Sequence, residues 1–292
     1  MADPTFVTSS KNTTPAGSDA EAVAVTIFPT VSPHDVFVEV AMGTDPAAMP
    51  SVVSVTASGA TFAPVPGAAV TRVSGTRSAR IETWRAPAVP SGITLVTAKA
   101  SASISFGVLV GEYSNVRTVG HVGTQSGAAV PVTIDLATQD ANNLIVAGFA
   151  AENLAGATFT GADTGTLREQ VFVLGAGAVD VPGALLDNGS ATPATVTNTV
   201  TTTAQDLWVA AAVELRSVIG GGFRSFQSLW FGPDAGGGTG ATPATAGSFR
   251  SFQSVWFGPD GGAGVGAVTP DVTAGRKLIS QGLAATIQAE LT

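Results

Sequence analysis

Cysteine is absent from the 292-residue chain, which excludes disulfide frameworks, thiol nucleophiles and Cys-ligated zinc or iron-sulfur sites. Histidine is nearly absent: the two copies, His34 and His121, leave little material for His-rich metal or acid-base chemistry. Charge is scarce too, at 12% Asp, Glu, Lys and Arg against roughly 25% in an ordinary soluble domain. Only 13 Lys and Arg stand against 21 Asp and Glu, for a net charge of -8. The clustered cations that grip phosphate backbones are missing, so nucleic acid is not an expected partner. Long apolar runs are lacking as well. The longest, around 144–151 and 207–215, fall far short of the roughly 20 residues that cross a bilayer, so no membrane partner is expected. The start, Met1-Ala2-Asp3-Pro4-Thr5, has neither a basic cluster nor an apolar run, and the expectation is a chain made without a secretory leader.

What is present is a core. Hydrophobic residues make up 45% of the chain, far from the low-hydrophobicity, high-charge signature of disorder. Residues 1–20 read as a polar, poorly ordered arm. From residue 21 to 217 the chain repeats one pattern: a β-branched, apolar run, then a Gly, Pro, Asn, Asp or Ser cluster. Alternation of period two is explicit in 35–42, where Val36, Val38, Val40 and Met42 share a face. It recurs in Ile104, Phe106, Val108 and Val110, in Val130, Val132, Ile134 and Leu136, and in Leu207, Val209, Ala211, Val213 and Leu215. Further strand candidates are 23–28, 51–57, 80–86, 93–99, 144–149, 167–173, 183–187 and 195–200. About a dozen short strands with no long helix between them predict an all-β body, an antiparallel two-sheet β-sandwich or jelly roll.

Composition shifts at residue 218. Over 218–270 Gly, Ala, Thr and Pro dominate, and a dozen residues occur twice. Phe223-Arg224-Ser225-Phe226-Gln227-Ser228-Leu229-Trp230-Phe231-Gly232-Pro233-Asp234 returns 26 residues later from Phe249, with Val255 for Leu229 as the single change. The Gly-rich spacers make each dozen a short aromatic unit on a tether. Such a unit cannot bury itself, so its aromatics need a groove on the body, on each other or on another subunit. The candidate partner-binding residues are Phe223, Arg224, Phe226, Trp230 and Phe231 with Phe249, Arg250, Phe252, Trp256 and Phe257, since Trp and Arg dominate interface energetics. In 271–292, Leu283, Ile287 and Leu291 recur at intervals of four and predict a short amphipathic C-terminal helix.

Catalytic constellations are sparse. Asp163-Thr164-Gly165 matches the core tripeptide of aspartic proteases, but no apolar strand leads into it and no second copy exists. It reads as a turn. His121, Ser126 and Asp135 lie near one another in sequence without a nucleophile elbow. Asp135, Asp140 and Glu152 offer carboxylates without EF-hand spacing. Arg80, Glu82, Trp84 and Arg85 could stack on and hydrogen-bond a sugar, while in a sandwich such a Trp is commonly a core residue. The expectation is a non-enzyme with no cofactor.

The runs Ile81-Glu82-Thr83-Trp84-Arg85-Ala86-Pro87, 108–114, 143–149 and 207–215 resemble a β-sandwich module of bacteriophage structural proteins and bacterial surface proteins, across about 21–216. The duplicated Gly222-Phe223-Arg224-Ser225 to Trp230-Phe231-Gly232 segment is similar to segments near the ends of phage virion proteins. The resemblance implies a virion component assembled in the host cytoplasm: a head decoration or cement protein or a head fibre, with tail or neck as the alternative. The implied partners are capsid subunits and further copies of the chain. A carbohydrate-binding adhesion module, with a host-surface glycan as ligand, is the rival reading. The resemblance supplies no catalytic residues.

Overall fold

The computed structural model describes residues 3–27, 34–44, 49–92, 95–152, 158–175, 180–202 and 207–217. All of them fall in the first of two units into which the chain divides, Met1–Ser228. Secondary structure among them is entirely strand and turn. The first eight strands are β1 (Thr5–Thr13), β2 (Ala20–Thr26), β3 (His34–Thr44), β4 (Val52–Ala57), β5 (Ala60–Thr61), β6 (Ala63–Ser74), β7 (Arg77–Val89) and β8 (Leu95–Ser114). The next eight are β9 (Val116–Gly127), β10 (Val132–Ala137), β11 (Asn143–Glu152), β12 (Phe159–Thr164), β13 (Thr166–Leu174), β14 (Asp180–Ser190), β15 (Thr195–Thr202) and β16 (Leu207–Ser217). Every pairing is antiparallel.

The two sets share one topology. In the first, the C-terminal half of β8 pairs with β1 and β3, and β7 pairs with β3 and β6. The N-terminal half of β8 pairs with β2 and β4. In the second, β16 pairs with β9 and β11, β14 with β11 and β13, and β15 with β10 and β12. Irregularities repeat as well. Val52 faces Ala100 and Ser54 faces Lys99, with a bulge between; Phe159 faces Thr202 and Gly161 faces Thr201, with the same bulge. What the sequence suggests as one two-sheet sandwich over 21–217 is therefore two sandwiches in tandem.

Their cores stack in three tiers. Val36, Val38, Val40 and Met42 of β3 pack with Trp84 and Phe106 against Val25, Val55 and Val96, inside the first sandwich. Ile145, Ala147 and Phe149 of β11 pack with Trp208 against Ile134, Val196 and Val200, inside the second. Between them, Phe37, Ala41, Ile81, Leu109 and Tyr113 meet Val146, Leu185, Val209, Ala211 and Val213. The two five-strand faces thus cover each other. This explains why β3, β11 and β16 are buried on both faces, whereas an antiparallel sheet with one wet side alternates apolar and polar residues. Strand β8 spans both sheets of its sandwich without a break, its corner marked by exposed Ser101, Ala102 and Ser103. Residues 5–13, part of the 1–20 segment that reads as a poorly ordered arm, form an edge strand on β8, held by the ladder although their side chains are mostly polar.

Candidate functional site

Ladder register makes the two halves comparable residue by residue: Glu112 lies opposite Val36 and Glu214 opposite Ile145. His34 and Asn143, each two residues earlier on their strands, then occupy one structural position. Both meet the glutamate of their own sandwich. His34 Nδ1 is 2.5 Å from Glu112, and Asn143 Nδ2 donates to the fully buried Glu214. Glu214 also accepts from the backbone N–H groups of His121 at 2.8 Å and Gln139 at 2.7 Å. Gly120 permits this, since a Cβ there would collide with the Glu214 carboxylate. A buried carboxylate with three donors is satisfied, and here it pins the β10–β11 connection and β9 to β16.

A third carboxylate sits between the sandwiches. Glu39 of β3 points into the shared core and is fully buried. Its Oε2 accepts from the Thr83 hydroxyl at 2.7 Å, while Oε1 has no hydrogen-bond partner. Burial raises its pKa to about 8, against the weaker opposing effect of the Thr83 hydrogen bond. Glu39 lies against Gly148, where a Cβ would strike the carboxylate. By the register above, Gly148 is the position of β11 equivalent to Glu39. The two equivalent positions face each other, as residues on a pseudo-twofold axis must. Nearby, burial also raises the Tyr113 hydroxyl and the Asp187 carboxyl, the latter opposed by its hydrogen bond from Arg168.

The edges of the shared core differ between its two sides. On one, β1 meets β13: Phe6 lies under the Arg168 guanidinium, 4.0 Å from ring centroid to Cζ, and edge-on to Tyr113. Lys11 pairs with Glu169 at 3.1 Å, and Ser9 Oγ donates to Glu169 at 3.0 Å. On the other, β6 and β7 meet β9 around an open groove of about 450 Å³, lined by Pro64, Val65, Pro66, Arg85, Val119 and Val122 among others. Arg85 stands at the position of Asp187 in the other half and is held by Asp35 through Nε at 2.7 Å and Nη2 at 2.5 Å. Prolines belong on an edge strand because they cannot donate to a ladder. Pro64 and Pro66 carry that signal in the sequence, but which strand would face them depends on the pairing of the halves.

The catalytic and metal-ligand candidates of the sequence go to separate places. His121 donates from Nδ1 to the Ala137 carbonyl at 2.7 Å, with Nε2 2.7 Å from the Gln139 amide nitrogen. Ser126 accepts from Arg72, and Asp135 accepts from Thr197 at 2.5 Å. Asp163 accepts from Thr201 at 2.6 Å. Asp140 pairs with Arg216, and buried Glu152 with Arg77. Trp84 is a core residue, 8% exposed, and Glu82 beside it receives Arg80 at 2.6 Å and the Val52 N–H at 2.9 Å. That arrangement leaves no aromatic platform at Trp84 for a sugar ring. The aromatic units, from Phe223, Arg224, Phe226, Trp230 and Phe231 to Phe249, Arg250, Phe252, Trp256 and Phe257, lie outside the described residues, as does the 271–292 segment. No protein-family model, curated protein or solved structure matches the chain.

Proposed function

We propose that the chain is a structural component of a tailed-phage particle, a capsid decoration or head-fibre protein whose double sandwich is displayed while its C-terminal repeats attach it to neighbouring subunits. The observation that carries the reading is the aromatic dozen written twice on Gly-rich tethers. Two copies of one weak anchor raise avidity through effective concentration when the target is itself repeated, as a shell is. The body supports the reading by its chemistry. Its buried carboxylates, Glu112, Glu214 and Glu152, meet His34, Asn143 and Arg77 in contacts that hold strands together. A hydrophobic body with few charges and no cysteine suits exposure on a particle assembled in a reducing cytoplasm.

The test is removal of residues 220–292 followed by particle assembly. A folded body that no longer joins particles is expected; unchanged incorporation refutes attachment through the tail. Copy number relative to the major shell protein in purified particles separates a decoration protein, present in many copies, from a tail or neck part present in few.

A further inference from the structure

We infer that the groove between β6, β7 and β9 is the seat of the chain's own first aromatic unit, with the Phe223-Arg224-Ser225-Phe226 segment as its occupant. Three observations converge. The first is the pseudo-twofold relation. Phe6 lies opposite Tyr113 on β8, and Val119 lies opposite Leu215 on β16. Because Glu112 and Glu214 are equivalent, Val119 occupies the place of Phe6. On the β1–β13 side that place holds a phenyl ring beneath a guanidinium. On the β9 side it holds only a valine, and Arg168 has given way to the Val65-Pro66-Gly67-Ala68 bulge of β6. The result is an open, mostly apolar groove beside Arg85.

The second is the start of the undescribed chain. Ser217, the end of β16, lies opposite Val116 of β9, three residues from Val119. Phe223 follows six residues later, and six residues reach about 20 Å when extended. Gly220-Gly221-Gly222 lies between, a run suited to reversing direction. The third is chemistry. The segment offers an aromatic ring with an arginine next to it, the combination found at Phe6 and Arg168. Seating the first unit leaves only its twin, from Phe249, open to a partner, so the inference describes the free chain, and two-point attachment on a particle requires the first unit to leave the groove.

The twin units supply an internal control. Arg224 and Arg250 sit in one local sequence, Phe-Arg-Ser-Phe, so trypsin cuts them equally unless one is docked. In the full-length chain under limited proteolysis, mass spectrometry is expected to find cleavage after Arg224 at least about ten-fold slower than after Arg250, because cleavage follows the population of the undocked form. Filling the groove with Val122→Trp is expected to bring the ratio to about one. Equal rates in the unaltered chain overturn the inference, and so does a ratio that Val122→Trp leaves unchanged. Should that variant not fold, Phe223→Ala/Phe226→Ala leaves every described contact intact. Faster amide exchange at Val119–Val122 in this double variant supports seating, and unchanged exchange overturns it. Protection of Arg224 that disappears on dilution assigns the groove to a second copy and overturns seating within one chain. Particle incorporation reads the tail as a whole, so its failure is distinguishable from that of the cleavage ratio.

Discussion

Glu39 and Gly148 show how one position on an axis is settled. Two glutamates cannot share it, and two glycines would leave a hole; one of each fills the space. The carboxyl has a raised pKa, so the folded state binds its proton more tightly than the unfolded state. Its stabilising contribution is complete below the ordinary value of 4.5 and is lost as pH rises through about 8. Glu39→Gln, neutral at every pH, is expected to melt with the parent near pH 5 and above it at pH 9. A thermal melt series across that range checks this; parallel curves at all pH values would mean that Glu39 is charged when folded. Gly148→Ala is expected to cost about 1–3 kcal/mol, the range for overpacking a filled core. Combination with Glu39→Ser, which withdraws the carboxylate, is expected to recover part of that loss. The coupling is measurable in a double-mutant cycle by denaturant unfolding.

Elements are tied together through buried acceptors at strand ends. Glu214 gathers donors from β9, from the connection before β11 and from β11 itself. Glu214→Ala strands those donors and is expected to cost about 3 kcal/mol. Amide exchange is expected to accelerate most at His121 and Gln139, whose N–H groups lose their acceptor. Strand identities were largely legible from period-two patterns, as in β3 and β16. Strands with mixed polarity were not. Thr5–Thr13 and Val116–Gly127 contain many Ser, Thr, Gly and charged residues, and they are strands because a neighbouring backbone satisfies theirs and one face of each meets the shared core. Edge position, which the pattern of neither run encodes, makes that polarity tolerable.

At the scale of the molecule, each sandwich carries a large apolar face that, among the described residues, the other sandwich covers. Residues 3–115 and 116–217, made as separate chains, are therefore expected to aggregate or self-associate singly and to form a 1:1 complex when co-expressed. Size-exclusion chromatography with light scattering decides this, and two stable, soluble monomers would contradict the role given to the shared core. What the equivalent strands share is apolar alternation: by register Val23 and Val25 of β2 take the places of Val132 and Ile134 of β10. Elsewhere the equivalent places hold different residues, Phe106 against Trp208 and Gly111 against Val213. Packing fixes only volume and polarity at each place, so two halves can keep one topology with little sequence in common.

By itself the sequence determined the all-β class, most strand positions, the poverty of catalytic groups and the doubled aromatic unit, because each is written in local composition or spacing. The number of sandwiches, the burial of Glu39 at a place where two halves meet, and the recess at Val119 were decided by tertiary structure. These follow from which face covers which. A period-two pattern says that a strand has two faces, but only assembly shows that the second face of β3 is covered by β11 and closed to solvent.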